Sequence, residues 1–279
     1  MTTPPALLLA GHGTQDDSAA AVFRSFIEEV AAQHPHVPVA GGLIEPGAPS
    51  IADAVARLAG RGAERLAVVS VSLVGDARAE RAVAAELADA LPRHPGLRHA
   101  YAGPLGPRPK LLTALEQRLD EALGNVARRP SDRAGTTVLL VGKGSTDPAA
   151  NAEVHRAARL LWEGRGFAGV ETAFVSLAAP DVASGLDRCA RLGARRVVVA
   201  PYELFAGALT DRAWQQAEGW SLAHPEVAVV RARPVGPVAE LVETVMERYA
   251  ELVGEAAPRT DAACDCRCVR GTGEPAHVR

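Results

Sequence analysis

Leu7-Leu8-Leu9-Ala10-Gly11-His12-Gly13-Thr14-Gln15-Asp16 is matched 131 positions later by Val138-Leu139-Leu140-Val141-Gly142-Lys143-Gly144-Ser145-Thr146-Asp147. In each copy an uninterrupted apolar run, the pattern of a strand covered on both faces, ends in a Gly-X-Gly turn and a polar helix start. The central residue differs: an imidazole in the first copy, an ammonium in the second. Other pairs keep nearly the same spacing. Pro49 matches Pro180 and Gly62 matches Gly193 at offset 131, while Pro104-Leu105-Gly106-Pro107 matches Pro234-Val235-Gly236-Pro237 at offset 130. A spacing held over so much of the chain indicates a duplicated domain.

Between these marks strand and helix alternate. Residues 6–10 read as a strand, and Val22, Phe23, Phe26, Ile27 and Val30 give residues 18–32 the spacing of an amphipathic helix. Residues 37–44 form a second strand, ending at Glu45-Pro46. Ser50 caps a helix whose inner face is Ile51, Ala54, Val55 and Leu58, stopped by Gly60 and Gly62. Residues 65–74 predict a third strand, Gly75-Asp76-Ala77-Arg78 leads into an alanine-rich helix, and residues 97–102 predict a fourth strand. Leu111, Leu112, Leu115, Leu119 and Leu123 stripe a long helix. Connections this short allow only parallel crossovers, so the fold class is α/β: two tandem domains, each an open parallel sheet flanked by helices, with a cleft between them. The expected divisions are 1–123, a polar linker at 124–135, 136–254, and a polar, loosely ordered tail at 255–279.

Composition excludes several classes. The formal charge of −3, with no basic run carrying interleaved aromatics, argues against nucleic acid as a partner. No run of about 18 apolar residues predicts a membrane span. Met1-Thr2-Thr3-Pro4-Pro5 places no basic segment before Leu7, so no signal peptide is expected and the chain reads as cytoplasmic. Of the four cysteines, Cys189 sits in a helical pattern as a small buried hydrophobe. Cys264, Cys266 and Cys268 crowd into the tail as a candidate soft-metal or iron–sulfur group, one thiolate short of a four-ligand set.

Ligands of open parallel sheets bind beyond the carboxyl ends of the strands. Those ends carry His12, Glu45 and the Gly75–Glu80 turn in the first half, and Lys143, Ser176 and the turn from Tyr202 through Asp211 in the second. A neutral imidazole at His12 suits a transition metal or a proton near neutral pH; it also suits a packed helix start. Gly11-His12-Gly13 and Gly142-Lys143-Gly144 also invite a reading as an anion cradle of backbone N–H groups and a lysine, although neither copy matches a phosphate-loop pattern. Glu45 reads as a metal ligand, a proton acceptor or a solvated turn. The charges at Asp76, Glu80 and Arg81 read equally as a helix start. Glu203 interrupts an apolar strand end, facing either the cleft or an exposed edge.

The Gly-His-Gly-Thr strand end, the strand-end Glu45 and the duplication together resemble the class II tetrapyrrole chelatases, in particular the long two-domain sirohydrochlorin chelatases. The resemblance spans nearly the whole chain. It is carried most strongly by Val141 to Pro148, Asn151-Ala152-Glu153-Val154, Arg159 to Gly166, and Pro201-Tyr202 followed by Leu204-Phe205. It implies insertion of cobalt or ferrous iron, with nickel also suited, into a tetrapyrrole without ATP. The ring lies between the domains, and Gly11, Gly13, Thr14, Gly142 and Ser145 belong to the loops that border it. One chain then supplies the whole cleft, and a monomer is expected. In that family two histidines hold the metal and a carboxylate assists delivery or removal of the pyrrole protons. Here His12 and Glu45 match, and the second histidine is absent. Asp76 takes its place if the alignment is set on Gly75, and Arg78 if no gap is allowed. Asp76 would supply a harder ligand, and Arg78 would oppose a dication. This departure leaves open a non-catalytic tetrapyrrole- or metal-binding protein, or an enzyme repurposed for other chemistry.

Overall fold

The computed structural model describes residues 4–11, 17–44, 48–124 and 130–254. The first half runs β1 (Ala6–Gly11), α1 (Asp17–Gln33), β2 (Val39–Leu43), α2 (Ile51–Gly60), β3 (Arg65–Ser70), α3 (Ala77–Ala90), β4 (Arg98–Ala102) and α4 (Pro109–Ala122). After α5 (Pro130–Ala134) the second half runs β5 (Thr137–Gly142), α6 (Pro148–Trp162), β6 (Gly169–Phe174), α7 (Val182–Arg191), β7 (Arg196–Pro201), α8 (Ala208–Ala223), β8 (Ala228–Arg231) and α9 (Ala239–Gly254). The strands form two parallel sheets, ordered β2-β1-β3-β4 and β6-β5-β7-β8.

Strand alternation sorts the side chains into three cores. Leu7 and Leu9 face one side of the first sheet with α1, and Leu8 and Ala10 face the other with α2 and α3. The second sheet does the same: Val138 and Leu140 turn inward with α6, Leu139 and Val141 outward with α7 and α8. The inner faces share one core between the sheets, which includes Phe26, Leu115, Leu161 and Tyr249. Each fully buried side chain of this size contributes about 1.5–3 kcal/mol through apolar burial. Cys189 is fully buried in the outer core of the second half, and burial pushes its thiol up to about 12.

The duplication is visible bond by bond. Val71 N–H donates to Ala10 as Tyr202 N–H donates to Val141; Leu43 N–H donates to Pro49 as Phe174 N–H donates to Pro180. Pro49 and Pro180 both follow cis peptide bonds. Ser50 caps α2 through the Asp53 N–H, and Asp181, at the same offset, caps α7 through the Ser184 N–H. The third strand is shorter than its pattern predicts. It leaves the sheet after Ser70, because β1 ends at Gly11 and gives the ladder no partner beyond the bond from Val71.

The halves also exchange their last helices. α9 packs on β3 and β4 of the first sheet and pairs with α4, while α4 reaches β7 and α6 of the second. Tyr249 Oη donates to the Pro5 carbonyl at 2.7 Å, buried. Between the halves Arg133 on α5 bonds Glu116 and Asp120 of α4, both at 2.6 Å, and Arg165 bonds the second oxygen of Glu116 at 3.0 Å. The stretch expected as a plain linker therefore carries an anchored helical turn. No helix among the described residues is long and apolar enough to cross a membrane.

Candidate active site

The carboxyl edges of both sheets open onto one cavity of about 530 Å³, within the roughly 300–1,000 Å³ of small-molecule clefts. The first half supplies Gly11, Leu43 and Val71 through Val74, then Asp76; the second supplies Lys143 through Ser145 and the loop from Tyr202 to Thr210. The wall is largely apolar. Phe205, from the second half, packs its ring on Phe23 and Phe26 of α1 at centroid distances of 6.5 and 5.8 Å, closing the cavity between the halves. Among the described residues the charged groups on this wall are Asp76, Lys143 and Glu203.

Asp76 is the N-cap of α3. Its extended backbone lets one carboxylate oxygen accept the Arg78 N–H at 2.8 Å, and the other accepts the Ser145 hydroxyl at 2.8 Å across the cavity. Burial opposes its charge, but the hydrogen bonds from Ser145 and from the N–H groups of Arg78 and Ala79, with Lys143 close by, outweigh it and hold the carboxyl below its ordinary range. Arg78 is exposed and is not on the wall. Of the two residues that sequence alignment could not separate, Asp76 is the one that faces the cavity.

The loop around Lys143 is held from within. Ser145 N–H donates to Asn151 Oδ1 at 2.9 Å, the Asn151 amide returns a bond to the Ser145 carbonyl at 2.8 Å, and Asp147 N–H donates to Ser145 Oγ at 3.0 Å. These bonds occupy donors that an anion cradle would need, so Ser145 serves the loop and the link to Asp76. Gly142 is enclosed: a Cβ there would meet Val154 at 2.9 Å, as one at Gly11 would meet Leu43 at 2.8 Å. Ser176 lies under the loop, its carbonyl 1.8 Å from where a Gly144 Cβ would stand. Glu80 borders a small adjoining void with Ser70 and Ser72.

Of the two places the sequence allowed for Glu203, the cleft and an exposed edge, it takes the first. It follows β7, and its carbonyl accepts the Val235 N–H at 3.1 Å, so its backbone is fixed beside the cavity. Its carboxylate is half-buried and has no hydrogen-bond partner among the described residues. Burial pushes it up to about 7, with Lys143 pulling the other way. The signal was in the repeat: at offset 131 Glu203 takes the seat of Ser72, whose carbonyl accepts Leu105 N–H as that of Glu203 accepts Val235 N–H.

His12, Gly13, Thr14, Glu45 and the cysteines at 264, 266 and 268 lie outside the described residues. His12 is bonded to Gly11 on the cavity wall, and Glu45 follows Ile44 at the end of the second strand's loop. Among the described residues no three His, Cys, Asp or Glu side chains are grouped to hold a metal.

The CbiX family model matches residues 6–122 and again 137–252. A sirohydrochlorin cobaltochelatase of Priestia megaterium is 29% identical over 251 residues, covering 89% of this chain and 80% of that protein. A sirohydrochlorin ferrochelatase of the same organism is 30% identical over 215 residues, covering 76% and 78%. The solved structure of SirB from Bacillus subtilis with Fe³⁺ shares the fold at TM-score 0.75 and 24% identity, covering 90% of this chain and 96% of its own.

Proposed function

The chain belongs to the CbiX family, and from this premise we propose that it is a sirohydrochlorin chelatase, inserting cobalt or ferrous iron into the ring within the cavity between the sheets. The observation that carries the reading is the juxtaposition on one wall of Gly11, which leads directly into His12, and Asp76, which takes the second histidine's place when the alignment is set on Gly75.

The chemistry asks for three things: ligands that hold a dication without trapping it, a place for a flat apolar ring, and acceptors for the two protons that leave as metal–nitrogen bonds form. His12 and Asp76 meet the first as one imidazole and one ionised carboxylate, a set that releases cobalt or iron more readily than thiolates would. The ring faces the apolar wall of Phe23, Phe205 and Leu73. Lys143 pairs with carboxylates on the ring's edge. Glu45, at the second strand's end, assists metal delivery. Since one chain supplies both edges, a monomer completes the site.

Anaerobic absorbance spectra of sirohydrochlorin with Co²⁺ or Fe²⁺ test this. Wild type is expected to accelerate insertion over the protein-free rate, and His12→Ala to lose that acceleration. If wild type only matches the protein-free rate, the chelatase reading fails; tight ring binding without turnover would then identify a carrier.

A further inference from the structure

We propose that Glu203 is the proton acceptor for the pyrrole N–H groups, acting from the second sheet's side of the cavity, across from Gly11 and Asp76. This rests on the chelatase reading and adds to it a residue placed by the other half of the repeat.

Among the described residues of the cavity wall, Glu203 is left by elimination. Lys143 is an ammonium with donors only. Asp76 already accepts from Ser145 and from α3 backbone N–H groups, which leaves it a weak base. Tyr202, also on the wall, keeps its proton because burial pushes the phenol up. Glu203 has an open carboxylate on a fixed backbone, facing a cavity that fits a small molecule. An efficient base has a pKa near the working pH, and burial brings this carboxyl to about 7. The charge that acts on it is that of Lys143, from the loop after β5; Tyr202 beside it and Asp76 from the first half are the other titratable groups on the wall.

The step is a proton transfer. A pyrrole N–H gives its proton to the Glu203 carboxylate, the nitrogen keeps the electron pair and bonds the dication, and Glu203 passes the proton to water. Repeating the transfer removes the second proton. Overall one dication enters and two protons leave, with no change of oxidation state.

The test is the pH profile of cobalt insertion between about pH 5.5 and 8.5 for wild type, Glu203→Gln and Glu203→Asp, alongside metal-free absorbance titration of sirohydrochlorin. Wild-type kcat should climb with pH and level off above about 7. Glu203→Gln should bind sirohydrochlorin as wild type does, lose about 100-fold in kcat, and lack the rising limb; Glu203→Asp should restore the limb at reduced rate. An active wild type with Glu203→Gln within twofold and the limb intact overturns this proposal alone. Loss of binding in proportion to rate also overturns it, since Glu203 would then be holding the ring. A wild type no faster than the protein-free reaction removes the chelatase reading and this one together.

Discussion

The two sheet edges repeat the same backbone hydrogen bonds and carry different residues. At offset 131, His12 stands against Lys143, Glu45 against Ser176, Ser72 against Glu203 and Asp76 against Gly207. The hydrogen bonds that define these seats are kept: Ile44 N–H to Gly11 is repeated by Val175 N–H to Gly142, and Glu80 N–H to Asp76 by Asp211 N–H to Gly207. Duplication thus supplied two copies of a frame whose strand ends tolerate side-chain change where, as at Ser72, Asp76, Lys143 and Glu203, they line a cavity. Ladder and core positions lack that freedom. The first edge concentrates groups suited to a metal, the second a cation and a carboxylate of raised pKa. The asymmetry of the cavity wall comes from different side chains at equivalent seats, Ser72 against Glu203 and Asp76 against Gly207.

The sharpest way to break this picture is to disturb a seat's backbone. Gly144 has φ 85°, and its added Cβ would fall 1.8 Å from the Ser176 carbonyl. Gly144→Ala must move backbone, and should cost at least about 3 kcal/mol in urea unfolding. Gly142→Ala and Gly11→Ala meet side-chain ends at 2.9 and 2.8 Å, and should cost about 1–3 kcal/mol each through overpacking. Equal losses at all three positions would show that the second loop is less rigidly seated than its geometry requires.

Glu203 gives the next effect, and its sign is opposite to that of a paired carboxylate. Its folded pKa of about 7 lies above the ordinary value of 4.5, so between those limits the folded chain holds a proton that the unfolded chain releases. Stability is favoured below the lower value and is lost as pH rises to the upper one. Glu203→Gln removes this dependence. It should match wild type near pH 5 and exceed it by about 1–3 kcal/mol at pH 8, read from urea unfolding at the two values. A variant no more stable at pH 8 would mean that water in the cavity already solvates the carboxylate.

Much of the frame was legible because it is written in periodicity: apolar runs named the strands, and the fixed offset named the duplication. The exchange of α4 and α9 was not. An amphipathic stripe such as Leu111, Leu115 and Leu119 records that one face is buried, and says nothing about which sheet buries it. At the site, residue types and approximate places could be read, but direction could not. Asp76 and Arg78 lie two residues apart, and only the capping conformation of Asp76 turns its carboxylate to the cavity and leaves Arg78 in solvent. Glu203 interrupts an apolar strand end, which leaves cleft and exposed edge equally open; the bond from Val235 N–H fixes its backbone beside the cavity.

The smallest effect is the one that reports most directly on the meeting of the two edges. Ser145 Oγ donates to Asp76 Oδ2 at 2.8 Å, joining one half to the other through the cavity. Single substitutions confuse the bond with other losses: Asp76→Ala also uncaps α3, worth about 0.5–2 kcal/mol, and Ser145→Ala also strips the acceptor of Asp147 N–H. A double-mutant cycle cancels those terms and should leave a coupling of about 0.5–1.5 kcal/mol in metal-free protein. If Asp76 takes the incoming dication, its oxygen is drawn from Ser145, and the coupling should shrink toward zero with saturating Co²⁺. A coupling unchanged by Co²⁺ would leave Asp76 as a structural clasp and return the search for the second ligand to the rest of the first edge.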